Sequence, residues 1–142
     1  MILLDANVLI YLYNADAPQH SRVAVWFEEA LAKNRIGVPL PAVWAFVRIT
    51  TNPAWSNPLS PEVAFRLVTE LLRMPGVNLI VPGPRHLEIL AELAARFRIT
   101  GPRITDAALA AMAIENDAAL ASADRDFQRF TGLRWIDPLA AK

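Results

Sequence analysis

Cysteine is absent from this 142-residue chain and histidine occurs only twice. The first absence removes disulfides and thiolate metal sites together, and is compatible with a reducing cytosol. The second disfavours a histidine general base, and His86, beside Pro84 and Arg85 at an expected helix start, reads as structural. Lysine is nearly missing as well, being confined to Lys33 and Lys142. Net charge is zero, from 14 basic and 14 acidic residues, which argues against a general polyanion binder whose affinity rests on many phosphate contacts. No basic segment or small-residue cleavage signal accompanies the first apolar run, and no uncharged run is long enough to cross a bilayer. The expectation is a cytoplasmic protein without a membrane partner.

The chain is 54% apolar, enough for a well-filled core with surface left for a protein partner. Its length suits one compact domain over residues 1–142, with no repeat, low-complexity tract or linker. Arginine makes up most of the basic set. It grips phosphate bidentately, although ordinary compositional bias of a GC-rich genome accounts for it equally well.

Hydrophobic patterning predicts alternating strands and helices. Strands are expected at Met1–Leu4, Arg35–Val38, Val77–Val81, Ala118–Ala121 and Leu133–Ile136, the second stopped by Pro39 and Pro41. Helices are expected at Asn7–Tyr13, His20–Lys33, Ala42–Thr51, Pro61–Arg73 and Pro84–Phe97. A further helix capped by Thr105 should reach Glu115, with a short one near Asp126–Phe130. Ser60 followed by Pro61 is a helix-start signature. This alternation implies an α/β fold, a central twisted parallel sheet of about five strands with α-helices on both faces.

Three aspartates share one local setting. Asp5, Asp106 and Asp124 each follow a short apolar run, at a strand end or a helix entry. Open α/β sheets form their ligand sites at the carboxyl ends of strands, so these acids can meet in one cleft. Oxygen-only donors favour a hard divalent cation, Mg²⁺ or Mn²⁺. Asp126 is the one further acid near the cluster. Each has a structural alternative: Asp5 as a helix cap, Asp106 as a first-turn charge favoured by the helix dipole, and Asp124 and Asp126 as a solvated turn around Arg125.

Asn7, Ser122 and Thr50 are candidates for orienting these carboxylates or a water, with local capping or backbone bonding as the competing role. Arg48 and Arg125 are candidates for RNA phosphate or a partner's acid, or are plain surface residues. Trp26, Trp44 and Trp135 are expected in the core. Trp55, in a proline-rich loop, is either an exposed partner anchor or packed down on the body.

The segments Leu3-Leu4-Asp5-Ala6-Asn7-Val8-Leu9-Ile10, Thr105-Asp106-Ala107-Ala108-Leu109-Ala110 and Ser122-Ala123-Asp124-Arg125-Asp126-Phe127 carry a resemblance. Joined by Phe46–Pro53 and the ending Leu133–Leu139, they make the chain resemble PIN-domain proteins, and more narrowly VapC-type toxins. That resemblance implies a Mg²⁺-dependent endoribonuclease of a type II toxin–antitoxin pair, with Asp5, Asp106 and Asp124 as catalytic and metal-holding acids. It also implies an RNA substrate, a cognate VapB-like antitoxin and a homodimer. The chain departs from the family where a Glu commonly stands, near Ala45: no acidic residue occurs between Ala30 and Pro61. Two other readings remain open. One is a catalytically impaired PIN-fold binding module. The other is a phosphatase with Asp5 as nucleophile, disfavoured by Asn7 where such enzymes carry a second Asp and by the scarcity of lysine.

Overall fold

The computed structural model describes residues 1–140, so Lys142 lies outside the described residues. Five parallel strands, β1 (Ile2–Leu4), β2 (Ile36–Pro39), β3 (Val77–Ile80), β4 (Ala119–Ala121) and β5 (Trp135–Ile136), form one sheet in the order β3-β2-β1-β4-β5. The helices are α1 (Ala6–Tyr13), α2 (His20–Lys33), α3 (Leu40–Thr50), α4 (Pro61–Arg73), α5 (His86–Phe97) and α6 (Ile104–Glu115). This is the expected α/β architecture.

The central strand explains the layering. Ile2, Leu3 and Leu4 are all buried, as a parallel strand covered on both faces requires. Successive side chains point to opposite faces. Ile2 and Leu4 join Ile36, Val38, Val77 and Ala121 in a core shared with α1–α4, while Leu3 and Leu120 enter a second core with α5 and α6. Each fully buried leucine contributes on the order of 1.5–3 kcal/mol of transfer free energy. Strand order runs outward from β1 through β2 and β3, then restarts on the other side at β4. The switch point of the sheet therefore lies between β1 and β4, and there the Asp5 N–H extends the ladder by donating to the Ala121 carbonyl at 3.0 Å.

Helices α2 and α4 occupy their expected ranges, and the Ser60 hydroxyl accepts from Val63 N–H to cap α4. Three local expectations are corrected. Pro39 closes β2 rather than stopping it, and Pro41 lies in the first turn of α3, which begins at Leu40. Proline's missing N–H costs nothing in a turn whose amides lack intrahelical partners. Thr105 does not cap α6: it follows a 3-10 turn, Gly101–Arg103, and its hydroxyl donates to the Pro102 carbonyl at 2.8 Å. Trp44 is 63% exposed rather than in the core, while Trp26 and Trp135 are partly buried and pack on it. The last strand is shorter than expected, and the short last helix is a 3-10 turn shifted by one residue to Arg125–Arg129. Among the described residues no helix is long and apolar enough to cross a membrane.

Gly37 faces the α5–α6 layer from β2. A β-carbon there would stand inside van der Waals contact of Leu3 Cδ2 and Ile80 Cγ1. Leu3 is fully buried and has no free volume to retreat into. Gly37→Val should therefore destabilise the fold by about 1–3 kcal/mol, read as a lower midpoint in urea or thermal unfolding. An unchanged midpoint would show that the sheet can open locally to take the methyl groups.

Candidate active site

The carboxyl edge of β1 and β4 gathers the sequence's acids. Asp5 is the residue after β1 and the cap of α1, its Oδ1 accepting from Ala6 N–H at 2.7 Å. Its Oδ2 accepts from the Ser122 hydroxyl at 2.7 Å and from Asn7 Nδ2 at 3.2 Å. The capping alternative thus describes Oδ1, and Oδ2 is committed to the neighbouring strand's loop. Both roles coexist in one side chain.

Ser122 follows β4 and is fully buried. Its single hydroxyl proton goes to Asp5, and its oxygen accepts from Asn7 Nδ2 at 3.1 Å and from Asp124 N–H at 3.0 Å. Asn7 completes the circuit by accepting from Ala123 N–H through Oδ1 at 3.1 Å, which fixes its amide orientation. The loop carrying Asp124 is thereby tied to the end of β1. Asp124 in turn caps the next 3-10 turn, its Oδ1 accepting from Asp126 N–H at 2.9 Å. This replaces the local ion pairing with Arg125 that a solvated turn would use: Arg134–Asp117 is the ion pair found among the described residues.

Asp106 arrives from the opposite layer. Because α6 leads into the start of β4, it runs antiparallel to the sheet, and its first turn lies at the strands' carboxyl edge. There Asp106 feels the others. Burial raises its carboxyl pKa, the negative charges of Asp124, Asp5 and Asp126 raise it further, and Arg103 lowers it. Burial likewise raises Asp5, opposed by the Ser122 and Ala6 hydrogen bonds and reinforced by Asp124. Four carboxylates share one electrostatic field, and none is in ion-pair contact with a cation among the described residues.

These residues suit a hard divalent cation: the donors are all oxygen, and no ion pair among the described residues compensates their charge. Among the described residues no trio of carboxylate, imidazole or thiolate groups closes tightly enough to clasp an ion alone. Mg²⁺ does not need such a cage, since it keeps several waters and takes one or two carboxylates together with substrate phosphate.

Other candidates fall elsewhere. Thr50 is buried and donates to the Phe46 carbonyl at 2.8 Å, one turn back on α3, rather than orienting a carboxylate. With Trp55, Tyr13, Phe46 and Leu59 it lines a cavity of about 200 Å³ to which no clustered aspartate contributes. Trp55 is accordingly half-packed against the body. Arg48 and Arg125 are exposed, and neither perturbs Asp5 or Asp106. Arg103 was not singled out by the sequence reading, although its spacing of three residues before Asp106 at a helix entry was available there. The histidines stay outside the cluster, with His20 Nδ1 bonded to the Tyr11 carbonyl at 2.8 Å.

The raised pKa values fix a sign. Both carboxyls hold their proton more tightly folded than unfolded, so their stabilising contribution is fully present below the ordinary value of 3.8 and is lost as pH rises through the raised values. In cation-free buffer, Asp5→Asn should remove part of that loss and melt at or above the wild-type temperature at neutral pH. The amide keeps an oxygen for Ala6 N–H. Adding a divalent cation should stabilise the wild type at neutral pH and do little once both carboxyls are protonated. Thermal melts across pH, with and without the cation, decide this; a strongly destabilised Asp5→Asn would make Asp5 chiefly structural.

Comparison with known proteins gives the chain its kinship. The PIN domain family model matches residues 2–133. Ribonuclease VapC33 of Mycobacterium tuberculosis is 40% identical over 141 residues, spanning 98% of this chain and 99% of that protein. Ribonuclease VapC25 of the same organism is 39% identical over 140 residues, spanning 97% and 99%. Among solved structures, VapBC2 from Rickettsia felis, bound to a DNA fragment from its promoter, aligns at a TM-score of 0.75 with 18% identity over 96% of this chain and 98% of that one. VapBC-1 from nontypeable Haemophilus influenzae aligns at 0.74 with 22% identity over 97% and 98%. At such identities the solved structures speak for the fold, and the closer relatives and the family model together speak for kinship. The chain belongs to the PIN-domain family, beside the VapC proteins.

Proposed function

We propose that this chain, acting over residues 1–142 as one domain, is a divalent-metal-dependent endoribonuclease. It serves as the toxin of a type II toxin–antitoxin pair in the cytoplasm, as a homodimer restrained by a VapB-like antitoxin. Mg²⁺ is the resident ion in this reading and Mn²⁺ can replace it. One observation carries it: Asp5, Asp106 and Asp124 share a field without ion-paired cations at the sheet's switch point, in a chain 40% identical to a protein named a ribonuclease.

In this reading Asp5, Asp106 and Asp124 hold the ion, with Asp126 adding charge at the rim. A bound divalent cation supplies a water of lowered pKa and stabilises the charge that develops on the phosphodiester. The chain's own contribution is positional. The Ser122 hydroxyl and Asn7 amide lock the Asp5 carboxylate against rotation and hold the Asp124 loop beside it. Such supporting hydrogen bonds change metal affinity or rate by about 10–100-fold when lost. Ser122→Ala and Asn7→Ala should reduce RNA cleavage by about that factor, while Asp5→Asn, Asp106→Asn and Asp124→Asn should reduce it to background. Chelation should do the same to the wild type, with recovery on adding Mg²⁺ or Mn²⁺.

The binding-module reading draws on one feature: α3 contributes no carboxylate, since residues 30–61 include none. Metal-dependent cleavage of RNA by the wild type would end that reading, and its absence would favour it. A phosphatase reading needs a second acid two residues after Asp5, and that place holds Asn7, whose amide is committed to Asp5 Oδ2 and the Ala123 N–H. Turnover of a phosphomonoester but not RNA would revive it.

An antitoxin segment presenting Arg or Lys to the cluster would meet the same negative charge that a metal ion does. Antitoxin binding should then weaken as Mg²⁺ rises to about millimolar levels, and weaken in Asp106→Ala, where part of that charge is gone. If calorimetric affinities are the same in every condition, inhibition works away from the aspartates.

A further inference from the structure

We propose that Arg103 grips a backbone phosphate of the RNA at the rim of the carboxylate cleft and so positions the strand for cleavage; the inference rests on the ribonuclease reading above. Arg103 is the residue before α6 and already has helical angles, φ −75° and ψ −10°. It stands three positions before Asp106, a spacing that places two side chains on the same helix face. That face belongs to the end of α6 at the carboxyl edge of the sheet.

The platform is firm. Gly101, with φ +58°, turns the chain into the 3-10 segment, and Pro102 fixes the next φ. Ile104 N–H donates back to the Gly101 carbonyl, and the Thr105 hydroxyl closes onto the Pro102 carbonyl at 2.8 Å. The backbone under Arg103 is thus bonded on both sides, while its side chain is exposed and forms no ion pair among the described residues. It stands within one helical turn of Asp106.

Charge balance gives this cation its task. Asp5, Asp106, Asp124 and Asp126, when ionised, carry more negative charge than one divalent ion neutralises. A phosphodiester approaching that cleft is repelled by the remainder. The chain's net charge is zero, so no diffuse positive field offsets the repulsion. A guanidinium beside the acids, free of a carboxylate partner, presents two parallel donors to phosphate and supplies the missing attraction where it is needed.

The test measures affinity of the full-length protein for a short 2′-O-methyl RNA oligonucleotide, which resists cleavage, across a salt series with Mg²⁺ present. Wild type, Arg103→Ala, Arg103→Lys and, as a control on the exposed face of α4, Arg66→Ala are compared. Arg103→Ala should bind about tenfold more weakly, with the slope of log affinity against log salt smaller by about 0.7, the value for one single-strand phosphate contact. Arg103→Lys should recover the slope but only part of the affinity, because it restores charge without the fork. In cleavage of unmodified RNA, Arg103→Ala should raise KM more than it lowers kcat.

Calorimetric titration with Mg²⁺ alone separates the competing role. If Arg103→Ala leaves RNA affinity and salt slope unchanged and alters only Mg²⁺ binding, Arg103 acts through Asp106 and the proposal is overturned, while the ribonuclease reading stands. If Arg66→Ala loses as much affinity as Arg103→Ala, the contact is diffuse and the proposal fails. A wild type that neither binds nor cleaves RNA sinks the ribonuclease reading and this inference with it.

Discussion

A carboxylate held at the end of the central strand by a hydroxyl and an amide, with no ion-paired cation against it among the described residues, is the constraint on which this molecule turns. Desolvating an ionised carboxylate is costly unless charge or hydrogen bonds compensate it. Here compensation comes from Ser122, Asn7 and the Ala6 amide. Of these, the Ser122 and Ala6 bonds lower the Asp5 pKa but do not outweigh burial. The result is a site folded around a deficit of positive charge, tolerable because a compact polar network distributes it.

That network also explains why the sheet has this order. Joining Asp5 to Ser122 requires β1 and β4 to be neighbours, though they are separated by more than a hundred residues. The backbone supports the same adjacency through the Asp5 N–H to Ala121 carbonyl bond. Burial of Leu3, Leu4 and Leu120 provides the packing, and the side-chain circuit sits at the carboxyl edge of that core. Helix α6 adds its acid from the other layer because it must run antiparallel to reach β4. Topology, rather than local sequence, decides that Asp106 faces the other acids.

Much of this was legible. The long amphipathic helices and the Ser60–Pro61 start follow from local patterning and capping, both of which depend on neighbours in sequence. The convergence of the aspartates was legible for a different reason: a polar residue terminating a buried strand can only lie at the sheet's edge. What local reasoning could not supply was competition among partners. Pro41 reads as a breaker until the first-turn exemption is applied. Thr105 reads as a cap until the 3-10 turn before it takes its hydroxyl. Trp44 lies in a helical pattern, yet periodicity does not say whether another element covers that face, and it is left exposed. Thr50 bonds the Phe46 carbonyl one turn back, the local alternative to orienting a carboxylate.

The absent α3 carboxylate fits the same electrostatics. A further acid close to Asp5 and Asp106 would add repulsion to the burial that already raises both pKa values. In its place stands Ala45, partly buried against the α1–α4 core. Asp126 bears on Asp106 from an exposed position, where solvent screens its charge and reduces its desolvation cost. The chain thus keeps negative charge at the cleft while placing the additional acid where folding opposes it least. In the proposed reading, such an arrangement would enclose an ion less completely than four converging carboxylates. It would leave more of the coordination shell to water and to phosphate, and the cleft's attraction for an anionic strand would then depend on cations at its rim.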